Sequence, residues 1–307
     1  MEHSSFSPLV SVIVISYNSS LTVIETLDSI KKQSYRNIEI VITDDCSQDD
    51  TIEKCQLWKN ENASFFQRIK IVESPSNTGI SANLNRGLVE SRGDWCKLIA
   101  ADDILFPNCI ELFVSYSILH RESKCIFAKM HFFNQSFLPE NIDVVADGNK
   151  YPPNYGDYFN ETNDAILSRI ARNNFLSSPT MFVLKSVFYE YGFYDEQYRL
   201  CEDYPMFVSL LEKGVRFSFM DEFVVGYRRN NKSLTSTSGA SLFNMAYVKC
   251  EYQIKKQFCF TYLSWVERNK QSFIFFIHKV FDRLGMNKNC LFFRFLYKGC
   301  LGLIRAI

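Results

Sequence analysis

Hydrophobic and polar positions change along this chain in blocks. Leu9–Ser16 (LVSVIVIS) is an almost unbroken β-branched run, and Ile38–Thr43 (IEIVIT) is another. Such runs predict parallel strands buried on both faces. Between them, Leu21–Lys32 spaces Ile24, Leu27 and Ile30 along one side of a helix. The alternation continues with a helix from Asp49-Asp50-Thr51 to about Trp58, a strand at Ile69–Val72, a helix from Asn77-Thr78-Gly79 to about Ser91, and a strand at Trp95–Ala101. This regularity predicts right-handed βαβ units and a parallel sheet. The pattern then predicts a helix over Pro107–His120, a strand over Cys125–Phe133, and a polar stretch, Asn134–Asn163, without clear structure. That length reads as functional loop. A helix (Asp164–Ala171), a strand (Thr180–Leu184), a loop (Tyr194–Arg199), a helix from Glu202-Asp203 to Lys213, and strands Val215–Phe219 and Phe223–Tyr227 complete the globular part.

Acidic or polar tips end the predicted strands. They are Ser16-Tyr17-Asn18, Asp44-Asp45, Asn77 with its helix, and Asp102-Asp103 within LIAADDILFP. Open α/β sheets bind ligands at the carboxyl ends of their strands. So many carboxylates beside a phosphate call for a bridging divalent cation, and a hard cation takes one or two carboxylates plus phosphate oxygens. A nucleoside diphosphate with Mg²⁺ or Mn²⁺ meets that condition. Helix capping is the plainer reading of any one of these acids. The chain has no GxxxxGK[ST] and no GxGxxG, which argues against a P-loop ATPase or an NAD-binding fingerprint.

Composition adds a charge asymmetry. Net charge is zero, yet from Leu242 onward there are 11 Lys and Arg against three acids, so this tail carries +8. Its predicted helices, Ser272–Leu284 and Leu291–Ile307, mix Phe and Leu with Arg294, Lys298 and Arg305, which fall within ~40° of one another on a helical wheel. Basic, aromatic, amphipathic helices of this kind lie flat on anionic membranes, so 272–307 is the expected membrane contact. Packing against the globular part or a second subunit is the alternative. The ten Cys form no CxxC and no zinc spacing, which fits reduced core thiols. The first residues show no basic-then-apolar leader, and no uncharged run approaches a membrane span. The expected location is cytoplasmic, peripheral on the inner face of a bacterial plasma membrane.

Six segments carry a family resemblance. SVIVISYNSS, IVITDDCSQDDT, SNTGISANLNRGL, GDWCKLIAADDILFP, CEDYPMFVSLLEKG and GYRRNNKSLTS, in this order over about Pro8–Thr237, resemble the motifs of family 2 inverting glycosyltransferases of the GT-A fold. The similarity is greatest to bacterial enzymes that build O-antigen and other surface polysaccharides. It implies an α/β GT-A domain over 1–240, with a nucleotide-sugar half at about 8–120 and an acceptor half at about 121–240, followed by the helical tail 241–307. It further implies a UDP-linked donor, a hexose or N-acetylhexosamine as the group moved, a lipid-diphosphate-linked sugar acceptor, Mn²⁺ or Mg²⁺, and no nucleic-acid partner.

Residue by residue, the resemblance places Ser16, Tyr17, Asn18 and Asp45 at the donor nucleotide, with Asp45 accepting from the uracil N3–H. Asp102 falls near the ribose and donor sugar, Asp103 on the cation, and Asp203 at the general base with Glu202 beside it. Arg228 and Ser233 match a loop over the diphosphate. Two positions depart from the pattern: Ala100 stands where many relatives have an Asp, and Leu84 where many have an Arg. Arg86, Lys97 or Arg228 is left to supply the missing positive charge. A sugar nucleotidyltransferase, a non-catalytic nucleotide-sugar-binding subunit and a phospho-acceptor domain are the rival readings. The first lacks its Gly-rich basic loop in SYNSSLT; the others leave the Asp103 and Asp203 pair or Glu202-Asp203 unexplained.

Overall fold

The computed structural model describes residues 7–229 and 241–306. The chain divides into two compact units, Met1–Asn163 with Leu176–Arg228, and Asp164–Phe175 with Arg229–Ile307. In chain order the elements are β1 (Val10–Ser16), α1 (Val23–Lys31), β2 (Ile38–Asp44), α2 (Thr51–Asn62), β3 (Arg68–Glu73), α3 (Ile80–Glu90), β4 (Trp95–Ala100), β5 (Ile104–Leu105) and α4 (Cys109–Leu119). There follow β6 (Cys125–Asn134), α5 (Val144–Lys150), α6 (Asn163–Arg172), β7 (Phe182–Leu184), α7 (Lys185–Tyr191), α8 (Asp203–Glu212) and β8 (Phe217–Arg229). The last helices are α9 (Met245–Ile254), α10 (Trp265–Arg283) and α11 (Leu291–Ala306).

The first unit is built on one sheet of order β3-β2-β1-β4-β7-β6-β8-β5. β3, β2, β1 and β4 run parallel, as the βαβ pattern requires. β4 pairs antiparallel with β7, β7 with β6, and β5 with β8, so shorter antiparallel ladders extend the parallel half of the sheet. Every residue of β2 and all but one of β1 are buried, because α1, α3 and their neighbours cover both faces. The register sets Ser16 beside Asp44, Asp44 beside Glu73, and Ile15 beside Ala100. The strands therefore end together, and their polar tips share one edge.

Three local expectations change. Asn134–Asn163 is not structureless but folds α5 and a 3₁₀ turn, Tyr155–Asn160. The two strands expected over 215–227 are one continuous β8, because Asp221 and Glu222 face outward in mid-strand and Asp221 takes an ion pair from Lys129 of β6 at 2.6 Å. The short β5 and α7 escape the hydrophobic pattern altogether.

In the second unit, α10 opens on a capping box made by Ser264 and Glu267. Phe243, Ile277 and Phe281 form its core with Tyr297, Cys300 and Leu301 of α11. Among the described residues no helix is long and apolar enough to cross a membrane.

Candidate active site

The parallel strands deliver the expected tips, and the structure shows what each does there. Ser16 is buried and donates to Asp44 Oδ2 at 2.7 Å. Tyr17 is 49% exposed at the end of β1. Asn18 has φ +50 and accepts from the Gln48 amide at 2.8 Å, tying the turn after β1 to the turn after β2.

Asp45 is buried and saturated. It accepts from the Thr78 amide and hydroxyl, the Gly79 amide at 2.7 Å and the Arg86 guanidinium at 2.7 Å. These donors outweigh the desolvation that burial imposes, and its carboxyl lies below the usual range. Such a set uses the lone pairs of one carboxylate, and it fixes Asp45 on the entry to α3. Gly79 makes that turn possible, with φ +93 and the Arg199 side chain where a Cβ would stand.

The two acids after β4 differ sharply. Asp103 is 1% exposed and accepts from the Arg228 amide at 2.8 Å, while its own carbonyl accepts from Thr26. Desolvation, with Asp102 adjacent, raises its carboxyl well above the usual value. In this structure Asp103 is therefore an interior residue beneath the turn that follows β4. Asp102 keeps partial exposure on the sheet edge.

The candidate cations also sort themselves. Lys97 is fully buried within β4, donates to the Leu98 and Pro179 carbonyls, and is pushed down to about 8 by desolvation. Arg228 donates to the Asp102 carbonyl at 2.9 Å and to Gln135, pairs with Glu25, and lies over the Phe137 ring at 4.3 Å. Arg86 spends its terminal nitrogens on Thr78, Asp45 and Asn83, and its Nε is buried without a partner. Leu84, where an Arg was expected, is 2% exposed and belongs to the core. Ser233 lies outside the described residues.

Asp203 begins α8, with Glu202 as the preceding cap residue. Desolvation raises its carboxyl above the ordinary value, opposed by its own helix-start amides and by Lys150. Lys150, at the end of α5, was not expected here; it sits in the polar stretch with no spacing signal to mark it. Arg199 was missed likewise: it donates to Asn77 Oδ1 at 2.9 Å and to the Asn77 carbonyl. Tyr194 and Tyr198 bond through their backbones to Asn85 and Ser81 of α3.

No group of three or more His, Cys, Asp or Glu suited to a metal occurs among the described residues. An all-protein cage is therefore lacking, but a single partly exposed carboxylate, Asp102, fits a hard cation completed by phosphate oxygens. A cavity of about 770 Å³ lies elsewhere, lined by Tyr116, His120, Lys124, Asp157 and Arg216. Lys124 precedes the start of β6, which the register places level with the start of β4, so this cavity is at the opposite edge from the acids.

The EpsE protein of Bacillus subtilis (strain 168), described as a glycosyltransferase, is 34% identical over 128 residues, 42% of this chain and 45% of its own. The chain thus spans under half the length of that relative. The S. aureus TarS 1–349 crystal structure with UDP-GlcNAc superposes with a TM-score of 0.59 at 20% identity, covering 96% of this chain and 80% of that one. Mannosyltransferase PcManGT from Pyrobaculum calidifontis, in complex with GDP-Man and Mn²⁺, gives a TM-score of 0.55 at 16% identity over 81% and 62%. These likenesses show a GT-A fold. The sequence model described as "Glycosyl transferase family 2" matches residues 11–174, over half of the chain, and the chain belongs to that family.

Proposed function

We propose that this glycosyltransferase moves a hexose or N-acetylhexosamine from a UDP-sugar, with inversion, to a lipid-diphosphate-linked sugar during surface-polysaccharide synthesis. The observation that carries the reading is Asp203, a desolvated carboxylate at a helix start with raised proton affinity, more than 90 residues from the acids after β4. A raised carboxyl is what a general base near neutral pH requires. The acceptor hydroxyl attacks the sugar C1 while Asp203 takes its proton, and the bond from C1 to the phosphate oxygen breaks with departure of the nucleoside diphosphate.

Family membership and the nucleotide sugars held by TarS and PcManGT support a nucleotide-sugar donor. Tyr17 is the exposed ring available to the base, and Ser16, Asn18 and Asp45 shape the turns around it. Asp102 takes the cation role in place of Asp103; when bound there, Mn²⁺ or Mg²⁺ supplies positive charge to the leaving diphosphate. Arg228, pinned to the Asp102 carbonyl, fixes that strand end. The membrane surface remains the reading of the tail.

The test is sugar transfer from a panel of UDP- and GDP-sugars to a synthetic lipid-diphosphate-linked GlcNAc. Asp203→Asn is expected to abolish transfer while UDP affinity, measured by calorimetry, stays within a few-fold. Asp102→Asn is expected to weaken UDP binding in Mn²⁺ but not in EDTA. Full transfer by Asp203→Asn removes the base assignment, and donor breakdown by neither protein favours the non-catalytic subunit.

A further inference from the structure

The two acids after β4 sit in a turn, 101–103, and the polar side of α1 holds that turn carbonyl by carbonyl. Val23, Leu27 and Ile30 of α1 face the core. Beside them Thr22, Glu25, Thr26 and Ser29 recur at spacings of three and four, so they share one side of the helix. The Thr22 hydroxyl donates to the Ala101 carbonyl at 2.8 Å, and the Thr26 hydroxyl to the Asp103 carbonyl at 2.6 Å. Ser29 Oγ accepts from the Leu105 amide at 3.1 Å. The carbonyl between, that of Asp102, accepts from Arg228 Nε at 2.9 Å, and Glu25 pairs with the same guanidinium.

β8 holds the chain that follows. Ile104 and Leu105 pair with Gly226 and Val225, and the Phe106 amide donates to the Val224 carbonyl at 2.9 Å. Gly226 is needed there, because a Cβ would stand 2.8 Å from Ile104 and 3.0 Å from Phe137. Two residues on, the Arg228 amide donates to Asp103 Oδ1 at 2.8 Å. The Arg228 guanidinium engages Asp102, Gln135 and Glu25 through Nε, Nη1 and Nη2, and it lies over the Phe137 ring. The backbone of the turn is thus fixed by α1 and β8 together, and Asp103 is buried. The Asp102 side chain is what the turn presents at partial exposure.

We propose that Glu25 and Thr26 are positioning residues for the donor's cation, setting, with Arg228, the aim of the Asp102 carboxylate. The proposal rests on the reading of Asp102 as the cation's ligand. Groups that orient a metal's ligands weigh on its affinity almost as the ligands do. A hard cation completed by phosphate oxygens takes few protein ligands, so the aim of one carboxylate decides more than it would in a full cage. Glu25 acts through Arg228, which serves as a strut under the turn and not as a clamp on phosphate.

The experiment is calorimetric titration of the full-length protein with UDP, once in Mn²⁺ and once in EDTA. Two variants are compared with the wild type: Glu25→Ala, at an exposed helix position, and Thr26→Val, which keeps the side-chain shape without the hydroxyl. Each is expected to lower UDP affinity in Mn²⁺ by about tenfold and to leave it unchanged in EDTA. Thr26→Ser is expected to restore the Mn²⁺ value. Wild-type affinity in Mn²⁺ overturns the proposal, and so does an equal loss in EDTA, which makes these residues supports of the nucleotide pocket at large. Should Thr26→Val fail to fold, Glu25→Ala is read by the same titrations. A gain from Mn²⁺ that Asp102→Asn abolishes and Glu25→Ala keeps rejects this proposal alone. No gain from Mn²⁺ in the wild type rejects the cation reading, and the proposal with it.

Discussion

Burial opposes the charged form of both Asp203 and Lys150. For Asp203 the folded carboxyl lies above its ordinary value of 3.8. The native state therefore binds more protons than the unfolded chain between those two values, and stability falls as pH rises through that window. At neutral pH an uncharged isostere escapes the penalty. Asp203→Asn is expected to melt no lower than the wild type at pH 7.5 and to lose any advantage at pH 4, which calorimetry at the two pH values checks. For the proposed base this is the usual trade between activity and stability. Residue identities were legible at this scale and orientations were not. Asp102, Asp103 and Asp45 were all found from the strand ends, but a sequence does not say which of two neighbours turns inward. The burial of Asp103 could not be read for that reason, nor could the partners of Asp45, because its donors, Thr78 and Arg86, lie more than 30 residues away.

Elements were the most legible level, since buried parallel strands and capped helices obey local rules. β1 to β4 and α1 to α4 lie within a few residues of their expected bounds. Where local pattern and long-range pairing compete, the pattern misled, as with β8, whose central acids read as a turn until Lys129 answers them across the sheet. α5 was hidden by its polar composition, and its stability comes from Asp147 and the Asp143 cap rather than from an apolar stripe. One helix contact is unusually close. A Cβ on Gly87 of α3 would stand 2.5 Å from Ile13 and 3.0 Å from Thr43, both in the central strands. Overpacking of this kind costs about 1–3 kcal/mol. Gly87→Ala should lower the urea midpoint accordingly with an unchanged slope, and it should also disturb donor binding, because α3 carries Arg86.

At the scale of the whole molecule, fold class and family were legible from six short segments in order, whereas sugar, acceptor and linkage leave no mark in residue pattern. The tail illustrates the middle ground. In α11, Tyr297, Cys300 and Leu301 pack inward, while Leu291, Phe292 and Phe295 are 70–85% exposed. Arg294 and Lys298 lie beside that exposed sector. α10 adds exposed Trp265, Phe273 and Phe276. Each helix thus has both a side packed within its own unit and an apolar, basic side turned to solvent. Binding to vesicles containing anionic lipid should fall several-fold in Phe292→Ser/Phe295→Ser and weaken with salt, and equal sedimentation of variant and wild type would count against membrane contact. The loop 194–199, finally, does more than connect. Through Asn85, Ser81 and Asn77 it is stitched to α3 and to the entry of that helix, which Asp45 anchors. Any movement that parts this loop from α3 has to break all of these bonds together.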